Sequence, residues 1–215
     1  MRQPAWILVG GELSVTPELR ARLEAHPPAL VVAADGGVRH AHALGRRVDL
    51  WVGDFDSSDP ADADFAGVER VSVPPEKDFV DSELALEQAR SRGCDAALLL
   101  GALGGRFDHT LALALIALRW SAQGFAVSLH SGFESVWPLL PGRPLELELA
   151  PGATLSLLAT EDLVDLDLEG VRWPLRGVRL EVGVGWGVSN RATGKKVRAR
   201  CAQGQGLLIV QHQPV

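Results

Sequence analysis

Two short clusters of aspartate are the residues of this chain whose types and spacing could do chemistry. Asp54 and Asp56 lie in the segment Gly-Asp-Phe-Asp-Ser, and Asp78 and Asp81 lie in Lys-Asp-Phe-Val-Asp. Each cluster follows an apolar stretch, so we expect both at strand ends, where an open α/β sheet binds its ligands. Carboxylates that converge repel one another unless a divalent cation or a cationic ligand lies between them. The clusters therefore predict a magnesium site that binds phosphate.

Each cluster also has an interpretation without chemistry. Asp side chains bond readily to nearby backbone in loops, so Asp54 and Asp56 alone are compatible with a simple turn. Asp78 and Asp81 match the N-cap and N3 positions of a helix, which they would stabilise by about 1 kcal/mol. The occurrence of both clusters in one chain favours the metal site over the turn. Capping does not compete with it, because a helix N-terminus also favours bound phosphate.

Two other positions suit an anionic ligand. Lys77 is unusual in a chain that otherwise uses arginine, since the other lysines are Lys195 and Lys196. A compact ammonium group commonly neutralises phosphate oxygens, so we expect Lys77 to be functional rather than a surface residue. Asp35 and Gly36 follow another predicted strand, where they form either a tight turn or part of a ligand site.

A glycine-rich segment, Gly101–His109, follows a predicted strand and opens a helix. Its glycines, including Gly105, would present free backbone N–H groups beside the guanidinium of Arg106 and the carboxylate of Asp108. This combination is typical of a phosphate cradle. The segment has neither the order of a P-loop nor the spacing of a dinucleotide fingerprint.

A second glycine-rich turn lies near the end of the chain. It places Trp186 three residues before Ser189 and Asn190. A flat cationic ring could stack on an exposed indole, with the two short polar side chains beside it. Trp186 is equally compatible with a buried tryptophan in the core of a β domain.

Apolar runs alternate with helical segments in the first part of the chain. We predict strands at Trp6–Val9, Leu30–Ala34, Leu50–Val52, Arg70–Val73, Ala96–Leu100 and Val127–His130. We predict helices at Thr16–His26, Val38–Leu44, Asp81–Arg92 and Phe107–Gln123. Near-continuous apolar strands between helices indicate an α/β fold, with a mostly parallel, Rossmann-like sheet covered by helices on both faces. We assign residues 1–132 to this domain.

The character changes after about Gly132, because prolines punctuate short alternating segments in which no long helix could form. The strands expected there are Leu145–Leu149, Thr154–Leu158, Val164–Leu168, Arg179–Val182 and Leu207–Val210. We therefore predict a small all-β sandwich or barrel over residues 133–215. The basic segment Arg191–Arg200 has no explanation at this level beyond a solvated surface or help with an anionic ligand.

Composition limits the classes of function. The 215 residues are 47% hydrophobic, which is enough for a real core, and the formal net charge is -6. This charge argues against broad binding to nucleic acid. Cys94 and Cys201 fit neither a disulfide framework nor a zinc site, so we expect ordinary thiols. We find no signal peptide and no membrane-spanning run, and we expect a cytoplasmic protein.

The ordered segments DGG, GDFDS, KDFVD, GGRFDH and VSN, in an α/β half followed by a β half, resemble the thiamine pyrophosphokinase family. The resemblance spans nearly the whole chain. It implies transfer of the diphosphoryl group of ATP, with Mg²⁺, to the hydroxyl of thiamine, giving thiamine diphosphate and AMP. It also implies a homodimer whose active site is shared between the α/β domain of one subunit and the β domain of the other.

The resemblance also assigns roles to residues. The implied catalytic residues are Asp54, Asp56, Asp78, Asp81 and Arg106; the first three hold magnesium, and Asp81 helps with the metal or accepts the substrate's proton. The implied ATP-binding residues are Asp35, Gly36, Lys77, Gly105, Arg106 and Asp108. The implied thiamine-binding residues, on the all-β domain that also forms the dimer, are Trp186, Ser189 and Asn190.

Two other functions remain open from the residues alone. Asp-x-Asp also opens phosphatase sites with an aspartyl nucleophile, although Ser58 stands where those enzymes usually have Thr or Val. A non-catalytic nucleotide or calcium sensor is the second, because an acidic loop contains Asp54, Asp56, Asp59, Asp62 and Asp64. That loop lacks the glycine and the terminal Glu of an EF-hand.

Overall fold

The computed structural model describes residues 3–53, 67–72 and 81–212. The chain divides into two compact units. The first comprises Met1–Ile116 and Phe125–Gly132, and the second comprises Ala117–Gly124 and Phe133–Val215.

The first unit alternates strands with helices. Its described strands are β1 (Pro4–Leu8), β2 (Leu30–Ala34), β3 (Leu50–Gly53), β4 (Glu69–Ser72), β5 (Ala96–Leu100) and β6 (Ala126–His130). The helices that begin in it are α1 (Pro17–Ala25), α2 (His40–Leu44), α3 (Asp81–Ser91) and α4 (Phe107–Ala122), with a 3-10 helix at Asp35–Arg39. The predicted N-cap of α1 is confirmed, because the Thr16 hydroxyl accepts a hydrogen bond from the Leu19 N–H at 3.2 Å.

The strands of the first unit form a parallel sheet in the order β6-β5-β1-β2-β3-β4. From β1 the chain moves outward through β2 and β3 to β4, and it then returns to β5 on the other side of β1. The direction of winding therefore reverses between β1 and β5. In an open α/β sheet, this switch point is where the carboxyl ends of the strands leave a crevice for a ligand.

Burial explains why these strands are parallel and apolar. Trp6, Ile7 and Leu8 are consecutive in β1 and are each at most 2% exposed. Since consecutive side chains point to opposite faces, both faces of the strand are covered. Leu19 and Leu23 of α1 pack in one core with Trp6 and Leu8. The prediction of an α/β fold with a mostly parallel sheet is confirmed.

The second unit is antiparallel. Its strands are β7 (Glu134–Leu139), β8 (Leu145–Glu148), β9 (Thr154–Ala159), β10 (Leu163–Glu169), β11 (Leu175–Leu180), β12 (Asn190–Arg191), β13 (Lys196–Arg200) and β14 (Gly206–Gln211). The neighbours are β12-β9-β14-β7 on one side and β11-β10-β13-β8 on the other. Leu155 and Leu208 from the first group share one core with Leu166 and Val197 from the second. The predicted antiparallel β structure is confirmed, in the form of a sandwich, and the unit also contains the end of α4 at residues 117–122.

Three strands of this unit were not predicted from the sequence, the two-residue β12 and the longer β7 and β13. β7 contains Pro138, which lacks an N–H and lowers the strand signal, yet the residue pairs with Leu207 of β14. β13 reads as a basic loop because alternate positions are charged, whereas Val197 and Ala199 between them are buried. The predicted strand at Arg179–Val182 lies earlier in the structure, as β11.

The structure explains the basic segment that the sequence left open. β13 is a central strand between two acidic ones, with Lys196 opposite Glu148 of β8 and Arg198 opposite Glu169 of β10. The Arg198 Nε lies 3.4 Å from the Glu146 carboxylate. Cross-strand pairs of opposite charge stabilise a sheet by about 0.2–1 kcal/mol each. The basic residues of β13 are therefore part of an ion-pair ladder on the solvent side of the sheet.

Reversal of one charge in this ladder tests it. Arg200 pairs with Asp165 at 3.4 Å and with Asp167, and these groups are partly exposed. We expect Arg200→Glu to lower the urea midpoint of unfolding, because like charges then face one another across the strands. Urea unfolding at low salt is the measurement. Lys195→Glu, an equal change of net charge outside the strand, is the control, and equal loss in both variants would contradict the ladder.

Two properties concern the chain as a whole. In the three described ranges, no helix combines the length and apolar character needed to cross a membrane. Cys94 and Cys201 are both buried and free. Burial raises the pKa of each thiol, so both are poor nucleophiles. This agrees with the prediction of ordinary thiols.

Candidate functional site

Two glycine turns, which follow β1 and β5, lie at the switch point of the sheet. A Cβ atom on Gly11 would lie 2.3 Å from the carbonyl oxygen of Gly101. Gly101 has a φ of 79°, in the region that favours glycine. Only glycine allows both the close approach and this backbone angle. The two turns are therefore in direct contact, and the fold requires glycine at position 11.

Asp35 lies at the carboxyl end of β2, on the neighbouring strand. Its φ of 43° is left-handed, which is uncommon for a residue other than glycine. The indole N–H of Trp51 donates to the Asp35 carbonyl oxygen at 3.0 Å and holds this conformation. Backbone strain that the surrounding structure maintains is a feature of ligand sites. Asp35 and Gly36 thus lie at the edge of the sheet where a ligand would bind.

Arg106 and Asp108 stand where the turn after β5 enters α4. The Arg106 Nε and Nη2 donate to the two carboxylate oxygens of Asp108 at 3.2 Å and 2.5 Å. Both side chains are exposed, at 72% and 62%. The hydrogen bond from Arg106 lowers the pKa of Asp108, and the same bond raises the pKa of Arg106. Both groups of the pair are therefore ionised, and Asp108 orients the Arg106 guanidinium beside the exposed Gly105.

The aspartate clusters fall mainly beyond the described part of the chain. Lys77 and three of the carboxylates, Asp54, Asp56 and Asp78, lie outside it. The fourth, Asp81, lies in the first turn of α3 and is half-buried. Within residues 3–53, 67–72 and 81–212, no group of three or more His, Cys, Asp or Glu side chains could hold a metal ion. The magnesium site accordingly stays a prediction.

The second unit presents the predicted late turn as an exposed feature. Trp186 is 51% exposed, so the alternative of a buried core tryptophan is wrong. Ser189 is exposed and has a left-handed φ of 60°, and its N–H donates to the Ser156 hydroxyl at 3.1 Å. Gly187 between them is buried, and its carbonyl accepts from the Leu157 N–H of β9 at 2.9 Å. The turn is therefore fixed to β9 while its side chains face solvent.

Asn190 differs from its neighbours because the residue is buried, with 6% exposed. Its Oδ1 accepts hydrogen bonds from the N–H groups of Trp173 and Arg191, at 3.1 Å and 2.9 Å. Its Nδ2 donates to the Trp173 carbonyl at 2.7 Å. Asn190 thus fixes the backbone of Trp173, whose indole is 53% exposed and carries the Arg172 guanidinium over one face at 4.9 Å. Sequence reasoning missed Trp173, since nothing local distinguishes it from a core tryptophan.

These contacts predict a structural role for Asn190. We expect Asn190→Ala to lower the free energy of unfolding by about 2–3 kcal/mol, because buried backbone groups lose their partners. The measurement is the midpoint of urea unfolding. Ser189→Ala removes a neighbouring exposed polar side chain and should change stability by less than about 0.5 kcal/mol. An Asn190→Ala variant as stable as the wild type would contradict this assignment.

The fold and the first-unit residues define a class: an α/β protein with two glycine turns in contact at the switch point of a parallel sheet. Residues 23–129 match the family model for the thiamin pyrophosphokinase catalytic domain. The chain belongs to the thiamine pyrophosphokinase family. A search of curated protein sequences gave no match.

Solved structures of thiamine pyrophosphokinases are similar to this chain in fold. The thiamine pyrophosphokinase of Bacillus subtilis superposes with a TM-score of 0.83 at 22% identity, covering 99% of this chain and 100% of its own. The enzyme from Geobacillus thermodenitrificans gives 0.81 at 22% identity, with 98% of each chain covered. The Candida albicans enzyme gives 0.78 at 15% identity, with 99% and 90% covered. The similarity in fold therefore covers both units.

Proposed function

We propose that this protein is a thiamine diphosphokinase. It transfers the diphosphoryl group of ATP to thiamine, forming thiamine diphosphate and AMP. The thiamine hydroxyl oxygen forms a bond to the β-phosphorus, the bond from that phosphorus to the bridging oxygen of AMP breaks, and the hydroxyl proton leaves. The observation that carries the proposal is the family match over residues 23–129, a range that contains Asp35, the glycine turn after β5 and the Arg106–Asp108 pair.

ATP binds in the first unit, which we assign to an α/β nucleotide-binding and catalytic domain over residues 1–132, with helices on both faces of its sheet. Asp35, Gly36 and Gly105 line the nucleotide site, and Lys77 and Arg106 face the polyphosphate. Since Asp108 engages the Nε and Nη2 of Arg106, the Nη1 group is left for a phosphate oxygen. Asp108 orients the guanidinium, so that its Nε and Nη2 do not form hydrogen bonds with other acceptors.

Magnesium is held by Asp54, Asp56 and Asp78 in this proposal. A set of carboxylate oxygens is the donor chemistry that Mg²⁺ prefers, and Asp54 directly follows the last residue of β3 at the carboxyl edge of the sheet. When bound, the ion neutralises charge that develops on the phosphate oxygens. Asp81 accepts the hydroxyl proton or assists the metal ligands. Alignment and charge neutralisation supply most of the rate enhancement in phosphoryl-type transfer, so the base contributes less than the metal ligands.

Thiamine binds to the second unit, which we assign to a thiamine-binding and dimerisation domain over residues 133–215. The exposed Trp186 and Ser189 contact it, and Asn190 contributes by fixing the exposed Trp173. A cytoplasmic homodimer brings this surface to the α/β domain of the partner subunit. Exposed apolar side chains support association: on α4, Phe107 is 78% exposed, and Leu111 and Leu115 follow at helical spacing at 43% and 44%.

The identity of the nucleotide product tests this proposal. We expect incubation with ATP, magnesium and thiamine to yield AMP and thiamine diphosphate in equal amounts, measured by chromatography of both products. Omission of thiamine should abolish AMP formation. Release of ADP with thiamine monophosphate would show transfer of a single phosphoryl group and refute the proposal. Release of inorganic phosphate without thiamine would point to phosphatase chemistry.

A further inference from the structure

Two adjacent residues hold the backbone of the turn after β1. The Arg39 Nη2 donates hydrogen bonds to the carbonyl oxygens of Gly10 and Gly11, the second at 2.9 Å. The His40 Nε2 lies 2.9 Å from the same Gly11 oxygen. Arg39 is exposed, whereas His40 is 9% exposed. The turn is thus held both from the solvent side and from the interior, and we name these two residues the Arg39–His40 clamp.

The ring of His40 acts as a hydrogen-bond donor. A carbonyl oxygen only accepts hydrogen bonds, so the Nε2 atom that faces Gly11 carries the hydrogen. Burial lowers the pKa of His40, which the bond to Gly11 partly offsets, and the charge of Arg39 lowers it further. The ring is therefore neutral near pH 7 and donates through Nε2. With an apolar side chain at position 40, the Gly11 carbonyl would lose this hydrogen bond and keep only the one from Arg39.

His40 also contacts the second glycine turn. A Cβ on Gly101 would lie 2.9 Å from the His40 Nε2 and 2.5 Å from the Val9 carbonyl oxygen. The buried ring thus packs beside the point where the turns after β1 and β5 meet. Beyond it the two turns pair directly through a bridge between Glu12 and Leu103. The ring therefore contacts both glycine turns at the place where they meet.

We propose that the Arg39–His40 clamp positions the two glycine turns for the nucleotide, with His40 as a positioning residue that does not itself contact the ligand. This inference rests on the proposed function, in which ATP occupies the crevice. Glycine turns have the greatest backbone freedom and the highest entropic cost of ordering. Without the clamp the turns must be ordered by the nucleotide itself, which weakens its binding.

Substitution of His40 in the full-length protein tests this role. We expect His40→Leu, which removes the donor, to raise the KM for ATP about tenfold, because small displacements of a binding loop are costly. The KM for thiamine and kcat should change by less than about threefold, since neither step uses the clamp. His40→Gln retains an N–H at similar reach and should restore the ATP affinity. His42→Gln, on the exposed side of the same helix, is the matched control.

Arg39→Met provides an independent variant, because it removes the exposed half of the clamp without disturbing the buried ring. We expect an increase of about threefold to fivefold in the KM for ATP. An unchanged KM for ATP in both His40→Leu and Arg39→Met would overturn the inference. Equal loss in His40→Leu and His40→Gln, or a loss in kcat without an effect on KM, would also overturn it.

A binding measurement separates this inference from the proposed function. ATP binding to the wild type and to the variants is followed by equilibrium titration in the absence of thiamine. Wild-type protein that binds ATP but forms no AMP with thiamine would refute the proposed reaction, while the titration would still decide the role of the clamp. Wild-type turnover with unchanged ATP affinity in the variants would refute the clamp alone.

Discussion

Asp56→Asn is expected to reduce thiamine diphosphate formation by roughly 10³-fold or more, which is the largest effect we anticipate for any single substitution. In the proposed function Asp56 is a magnesium ligand, and loss of one charged ligand would weaken the neutralisation of the polyphosphate during transfer. The amide keeps the size of the side chain, so the fold should be retained. Steady-state assays of AMP release at several magnesium concentrations measure the effect, and circular dichroism verifies the fold.

A matched variant in the same acidic segment sharpens this test. Asp64→Asn changes the net charge equally but lies outside both aspartate clusters. We expect its activity to stay within about twofold of the wild type, as is usual for a change away from a site. Equal loss in both variants would indicate that the acidic segment acts as a whole, as in a cation sensor. Normal turnover by Asp56→Asn would remove the residue from the metal site.

Replacement of Arg106 should give the second largest loss. We expect Arg106→Gln to lower kcat/KM by about 10²–10³-fold, the usual cost of deleting one group that stabilises charge in a transition state. Arg106→Lys should recover only part of this, because an ammonium cannot bond Asp108 and a phosphate in the same planar arrangement. Initial rates of AMP formation under saturating thiamine measure both variants.

Asp108→Asn separates orientation from charge. The asparagine can still accept one hydrogen bond from Arg106 but no longer holds it as an ion pair, so we expect a loss of only about tenfold. Arg20→Gln on the exposed surface of α1 serves as the control for loss of an arginine. If Asp108→Asn were as damaging as Arg106→Gln, the carboxylate itself would have to contact the substrate.

Much of the fold was predictable because each local signal agreed with the global structure. The strand at Leu30–Ala34 and the strand at Ala96–Leu100 have the predicted bounds, since continuous apolar runs between helices have few other stable arrangements. The N-terminus of α1 followed from Thr16 and Pro17, which satisfy its orphan N–H groups. At these points the local sequence alone was sufficient to predict where the strand or helix begins.

The site was predictable only in part, because some of its contacts join residues that are distant in the sequence. The link between Asn190 and Trp173 crosses 17 positions, and the link between His40 and Gly11 crosses 29. No pattern within either segment reports such a pairing. The strand β13 could not be predicted for the same reason. Its basic side chains pair with acidic residues of β8 and β10, which become its neighbours only in the folded protein.

The sequence by itself determined the alternation of strands and helices, the all-β tail and the types of ionisable group available for phosphate chemistry, because these depend on periodicity and on side-chain chemistry. The tertiary structure decided which glycine turns meet, with Gly11 against Gly101 and His40 wedged beside them. It also decided that Asn190 is buried while Trp173 and Trp186 are exposed. Those outcomes depend on strand order and register, which bring distant segments together and which no local signal encodes.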